Sequence, residues 1–145
     1  MGAKLDAQFK ECLDKGKIKR FAGAKSLSAK ELSIAENDLN VAKAGLKNEQ
    51  WKWSTIQAYY SMFHTARALL YSGGYREKSH YCLRISLEVL YVATGKLDEK
   101  FVDAFQTAKM MRENADYEDS FSEIGASKLV AIAQEFLKEA KNILK

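Results

Sequence analysis

The 145-residue chain has no proline, only two histidines and two cysteines, and no long apolar run. At an average usage near 5%, about seven prolines would be expected. Without them nothing interrupts long helices and β-turn punctuation is sparse, so an all-helical fold is the first expectation. Cys12 and Cys82 lie far apart, with no C-x-x-C pair and no histidine near Cys12. On that pattern a zinc finger and a disulfide framework are both excluded, and the cysteines are expected as small core thiols. His80 stands beside Cys82, but two ligands fall short of a metal site; no metal and no cofactor are expected. The start, Met1 to Asp6, has no apolar signal region, and no segment approaches the ~20 apolar residues that span a bilayer. The expectation is a soluble, cytoplasmic protein with no membrane partner.

The net charge is +4, but it is divided unevenly. Residues 1–30 hold eight Lys or Arg against three acids, whereas residues 98–123 hold three basic residues against eight acids. A basic start can attract phosphates. Between Lys4 and Lys30, however, only Phe9 and Phe21 are aromatic, which favours a solvated basic face over a base-stacking groove for that segment taken alone.

The length falls in the common domain range of about 100–150 residues, enough for one domain with its own core. The division expected is a single domain over 1–145, with a basic segment and short helix in 1–27 and a bundle core in 28–145. Ser28-x-x-Glu31 has the form of a capping box, followed by Leu32, Ala35, Leu39, Ala42 and Leu46 at helical spacing. A second helix is predicted from about Trp53 to Ser72, stopping at Gly73-Gly74, and a third from Ser79 to about Thr94. A fourth runs from Asp98 to Asn114, and a last follows the second capping box, Ser120-x-x-Glu123. Short connections favour antiparallel neighbours. The fold class expected is all-α, an up-and-down antiparallel bundle of four long helices plus a short N-terminal helix.

Three groups of residues could carry chemistry. Phe101, Phe105, Ala108 and Arg112 share one helical face, which puts an arginine on a core stripe. Such a cation needs a partner: it either reaches water or Asp116 at the helix end, or grips a phosphate or carboxylate in a cleft. Trp53, Tyr60, Arg67 and Tyr71 form a second stripe with His64 beside them, either an amphipathic border or a pocket that stacks a base and holds a phosphate. The third is the basic loop from Gly74 to His80, where Ser79 or first-turn amides can cap a helix or hold an anion. In an up-and-down bundle Arg67, His80, Arg112, Asp116 and Tyr117 share one end, with Tyr60 and His64 one to two turns deeper. Trp51 or Trp53, if exposed, could mark a partner surface.

Ala58-Tyr-Tyr-Ser-Met-Phe-His64, Gly74-Tyr-x-x-Lys78-Ser-His80 and Arg112-x-x-Ala115-Asp-Tyr117, in that order, resemble the HEPN superfamily (higher eukaryotes and prokaryotes nucleotide-binding), in its prokaryotic branch with the Tyr-Tyr-x-x-Phe-His helix. The resemblance spans about residues 28–145. It implies a helical bundle that usually forms a homodimer, often paired with a minimal nucleotidyltransferase as toxin and antitoxin, and a nucleotide or RNA as ligand. The ribonucleases of that superfamily carry an arginine followed, after four to six residues, by a histidine. Here no histidine follows Arg112, and Tyr117 stands five positions on.

Metal-independent RNA cleavage requires groups that take and give a proton, and a phenol with an ordinary pKa near 10 serves poorly. The function expected is therefore binding of a nucleotide or RNA phosphate through Arg112, Arg67, Tyr60, Asp116 and Tyr117. The alternatives are a ribonuclease in which His80 or His64 acts with Arg112 in place of the missing histidine, or a non-catalytic dimerisation module.

Overall fold

The computed structural model describes residues 2–114 and 121–145. In chain order the elements are α1 (Gly2–Asp14), β1 (Ile18–Arg20), α2 (Ala24–Lys47), α3 (Trp51–Ser72), β2 (Tyr75–Glu77), α4 (His80–Leu87), α5 (Glu99–Asn114) and α6 (Glu123–Ile143). The four long helices α2, α3, α5 and α6 and the short N-terminal α1 are those of the expected all-α bundle. The segment predicted as a third long helix is divided: α4 runs into a π-helical turn over Glu88–Val92, closed by an Ala93 N–H donating to the Glu88 carbonyl. No helix is long and apolar enough to cross a membrane among the described residues.

The closest helix pair is α2 against α3, and small residues explain it. Ser28, Ala35 and Ala42 recur every seven positions on α2, as do Ser54, Ser61 and Ala68 on α3. They meet in antiparallel register. The Ser28 hydroxyl donates to the Ala68 carbonyl at 2.9 Å, Ser61 to Ala35 at 2.9 Å and Ser54 to Ala42 at 2.8 Å. A seven-residue repeat keeps one seam facing its partner along both helices. At Gly45 the approach is tight, since a Cβ there would meet the Ser54 Cβ at 3.2 Å. Ser28 and Glu31 therefore lie within α2, which begins at Ala24, and form this seam instead of the predicted capping box. Ser120 lies outside the described residues; Ser122 caps α6, its hydroxyl accepting from the Gly125 N–H. Ser79 caps α4 in the same way, accepting from Cys82.

The remaining core is aromatic and aliphatic. Phe105 and Phe136 are fully buried with Met62, Leu69, Leu70 and Leu83, and Phe101 stacks on Phe136 to join α5 to α6. Gly74, after α3, takes a φ of +87°, a conformation that costs a side-chain-bearing residue but not glycine, and turns the chain into β2.

Neither strand is anticipated by the sequence pattern. β1 and β2 pair antiparallel, with Ile18 opposite Glu77, Lys19 opposite Arg76 and Arg20 opposite Tyr75. This pairing draws α1 and α4 together and overturns the expectation of two separate core thiols. Cys12 and Cys82, with Cα atoms 5.8 Å apart, form a disulfide. The long separation in sequence conceals a short separation in space, which only the strand pairing produces. Because the cross-link restricts the unfolded chain between residues 12 and 82, reduction or Cys82→Ser is expected to lower the unfolding free energy by about 2–4 kcal/mol. Urea denaturation with and without dithiothreitol measures this, and coincident transitions would show that the bond contributes nothing.

Candidate functional site

Helix α3 carries the site on adjoining turns. Tyr59 and Phe63, one turn apart, stack at 6.3 Å between ring centroids, and Tyr60 sits edge-on to Tyr59 at 5.2 Å. Phe105 of α5 stacks on the opposite helix's Tyr59 at 5.9 Å. The result is a row of rings with a guanidinium at each end. Arg67 lies over Phe63 at 5.3 Å, and Arg112 lies over Tyr60 at 5.5 Å and Tyr59 at 5.9 Å.

The two arginines have opposite surroundings. Arg67 is 3.2 Å from Glu77 and 3.6 Å from Glu31, and it also donates to the Tyr71 hydroxyl. Burial opposes its charge, yet Glu77 and Glu31 together hold it above the usual arginine range. For Glu77 the balance falls the other way: burial outweighs the attraction of Arg67 and pushes the carboxyl up. His64 belongs to the same network, with its Nδ1–H 2.6 Å from Glu31 and its Nε2 3.9 Å from Asp38. Burial also raises Asp38, against the pull of His64. Glu31 is 8% exposed, so the carboxylate that joins His64 and Arg67 lies inside the protein.

Arg112, by contrast, has no hydrogen-bond or ion-pair partner among the described residues; it lies over ring faces, and the acid whose charge reaches it, Glu113, is paired with Lys109. The predicted partner Asp116 lies outside the described residues, as does Tyr117. Next to it, Lys109 pairs with Glu113 one turn on.

His80, at the start of α4, packs on Tyr59 at 6.2 Å and on Phe105 at 4.6 Å, so it and Arg112 touch the same phenol. Its Nε2 is buried without a hydrogen-bond partner among the described residues. Burial, reinforced by the charges of Lys109 and Arg84, pushes the imidazole down to about 4, so it is neutral at physiological pH. Burial also pushes the Tyr59 hydroxyl up to about 12, which keeps it a neutral phenol.

Of the residues predicted to share one end of the bundle, Arg112 and His80 meet at Tyr59, together with Tyr60, which was expected one to two turns deeper. Arg67 and His64 instead form the carboxylate network at the other end of the ring row. Three of the contributors were not singled out from sequence. Glu31 resembled a capping residue, Tyr59 a core aromatic and Glu77 part of a basic loop. A signal for Glu31 existed: with Asp38 and Gly45 it recurs every seven residues along the α2 seam, where an acid requires a partner.

The sequence profile of the HEPN domain matches residues 29–144, nearly the whole bundle. The chain belongs to the HEPN domain family. A protein of Methanocaldococcus jannaschii carrying the name "Putative toxin" is 29% identical over 115 residues, covering 79% of this chain and 86% of its own. In this HEPN chain no cluster of three or more His, Cys, Asp or Glu that could hold a metal occurs among the described residues.

Two outcomes follow from the contrast between internal and open charge. Glu31→Ala strands His64 and Arg67. It is expected to cost about 3 kcal/mol, the lower end for breaking a buried pair because Arg67 keeps Glu77. Arg112→Ala loses only ring contacts, about 1 kcal/mol; comparable urea midpoints for the two variants would contradict this. For His80 the folded pKa, about 4, lies below the ordinary 6.5, so between about 6.5 and 4 the unfolded chain binds the extra proton and stability declines as the pH is lowered. His80→Phe should flatten that decline relative to wild type, and parallel stability–pH curves would show that the residue is not buried as a neutral imidazole.

Proposed function

We propose that this HEPN protein binds a nucleotide or an RNA phosphate at Arg112 and acts as a toxin component, working as a homodimer alongside a nucleotidyltransferase partner. The observation that carries the proposal is the contrast between the two arginines. A cation on the core stripe of α5, partly buried over two aromatic faces and with no ion-paired carboxylate among the described residues, is suited to an anion arriving from outside. Its planar fork matches a phosphate in two-pronged fashion, and Tyr60 offers a face on which a base can stack. Arg67 serves a different purpose, holding α3 to β2 and α2 so that the ring row keeps its place. The name of the Methanocaldococcus jannaschii relative supports the toxin reading, and the family supports the nucleotidyltransferase pairing and the dimer.

A second reading, RNA cleavage without a metal, is favoured by one specific contact: His80 and Arg112 both rest on Tyr59. In that reading neutral His80 takes the 2′-hydroxyl proton as that oxygen bonds to phosphorus and returns it to the 5′ oxygen as the bond from phosphorus to that oxygen breaks, while Arg112 stabilises charge on the phosphate. An imidazole pushed down to about 4 is a weak base, so this reading ranks behind binding.

Thermal unfolding with AMP, ATP and a short oligoribonucleotide tests the first reading. A ligand at a hundred times its dissociation constant adds about 2.7 kcal/mol to stability, so the melting temperature of wild type should rise. Arg112→Ala removes a charge-assisted contact of about 1.5–3 kcal/mol and should weaken binding at least tenfold. An equal response from the variant refutes the assignment. In the same samples, RNA cleavage in EDTA that is lost in both Arg112→Ala and His80→Ala would establish the enzyme, and an absence of cleavage by wild type would dismiss it.

A further inference from the structure

The basic residues of the chain are not spread as the sequence suggests, because the β1–β2 pair gathers two separate segments. Side chains alternate faces along a strand. Ile18, fully buried, and Glu77, held by Arg67, therefore define the inner face of the ribbon. Lys19 and Arg76, directly opposite each other, point outward. Lys17 and Lys78 flank the pair, joined by the Lys78 N–H donating to the Lys17 carbonyl, and by the same alternation they share the outer face. All four side chains are exposed.

None of the four has an acidic partner among the described residues. The nearest acids in sequence are already engaged: Asp14 by Lys10, Glu11 by Lys15 and Glu77 by Arg67. Like charges set directly across an antiparallel pair destabilise it. Here the crowding acts on Lys78, whose ammonium is held below the usual lysine range by its contact with Lys19 and the charge of Lys19, then by desolvation and by the charges of Lys17 and Arg76. A solvated lysine face ordinarily intersperses both signs. This one concentrates a single sign on a short ribbon that the Cys12–Cys82 disulfide and the Glu77–Arg67 pair hold in place.

One aromatic completes the face. Phe21 continues the outward alternation after Lys19, its N–H donating to the Gly74 carbonyl. Its ring is 36% exposed, with the Arg76 guanidinium 5.6 Å from its centre. A run of cations beside an exposed ring is the arrangement that holds single-stranded nucleic acid, with phosphates on the cations and a base on the ring. A membrane surface would need a broad apolar face to insert, and the outer face of the ribbon has one ring, Phe21. An acidic protein segment would use the cations but leave the ring without a purpose.

We infer that the outer face of the β1–β2 ribbon, formed by Lys17, Lys19, Arg76, Lys78 and Phe21, binds the phosphate backbone of a single-stranded nucleic acid. This surface shares no residue with the Arg112 site and stands whether or not that site binds a nucleotide.

Fluorescence anisotropy with a short labelled oligouridine, across about 50–200 mM salt, tests it. Each phosphate contact on a single strand contributes about 0.7 to the slope of log affinity against log salt. The combined exchange Lys17→Gln, Lys19→Gln, Arg76→Gln and Lys78→Gln should reduce the slope by about 2–3 and weaken binding more than tenfold at the lowest salt. The same reduction is expected in an Arg112→Ala background, which separates this surface from the site on α5. Lys17→Gln with Lys78→Gln alone, both outside the strands, should give about half the reduction in slope, so a folding defect of the fourfold variant leaves the test intact. An unchanged slope in the variants overturns the inference, as does a wild type that does not bind the RNA. Binding of oligoglutamate or phosphatidylserine vesicles as tight as that of the RNA, with the same loss in the variants, also overturns it and assigns the face to a protein or a membrane.

Discussion

The close antiparallel seam between α2 and α3 is the constraint on which the rest of the molecule depends. Three serine hydroxyls donate across it to backbone carbonyls, each spaced one heptad from the next, and alanine and glycine at the facing positions let the helices approach. Such a seam has one register. A shift by a turn would separate every hydroxyl from its acceptor inside the core, where each unsatisfied polar group costs about 1–3 kcal/mol. Register in turn decides chemistry. It sets Glu31 and Asp38 of α2 opposite His64 and Arg67 of α3, and so commits those two side chains to partners within the fold.

With that half of α3 paired, the other half is left to α4 and α5. Tyr59 is the point at which three elements meet: Phe105 and Arg112 from α5, His80 from α4 and Tyr60 beside it on α3. The two arginines on the same ring row thus have different fates for a reason that lies in their neighbours. Arg67 faces carboxylates and stabilises the bundle, whereas Arg112 faces rings, which lower the cost of holding its charge without cancelling it. A cation in that state retains most of its attraction for an anion from solvent. The same distinction holds at the ribbon, where the acids nearby are taken up by other lysines and by Arg67 and the outer face keeps its charge.

Much of this was legible before any coordinates. The long helices followed from the absence of proline and from helical spacing, and the unusual position of Arg112 on a core stripe was evident from Phe101, Phe105 and Ala108 alone. Less legible were contacts that depend on which helix faces which. Ser28 and Glu31 match a capping box as well as they match a seam, because both roles ask for a hydroxyl and an acid three residues apart. His64 and Arg67 looked like members of an open pocket because the carboxylates that occupy them come from another helix and from β2.

The sequence by itself determined the helical class, the approximate places of the long helices and many of the residues that could bear chemistry, since these depend on local periodicity and composition. Only the tertiary structure decided which charges are spent inside the protein and which face outward. It joined Cys12 to Cys82 and brought Lys17 and Lys19 beside Arg76 and Lys78. The physical reason is common to all three. Electrostatic and covalent partnership is settled by distances of a few ångströms across the fold, and those distances are fixed by strand pairing and helix register, which neighbouring residues in the chain do not encode.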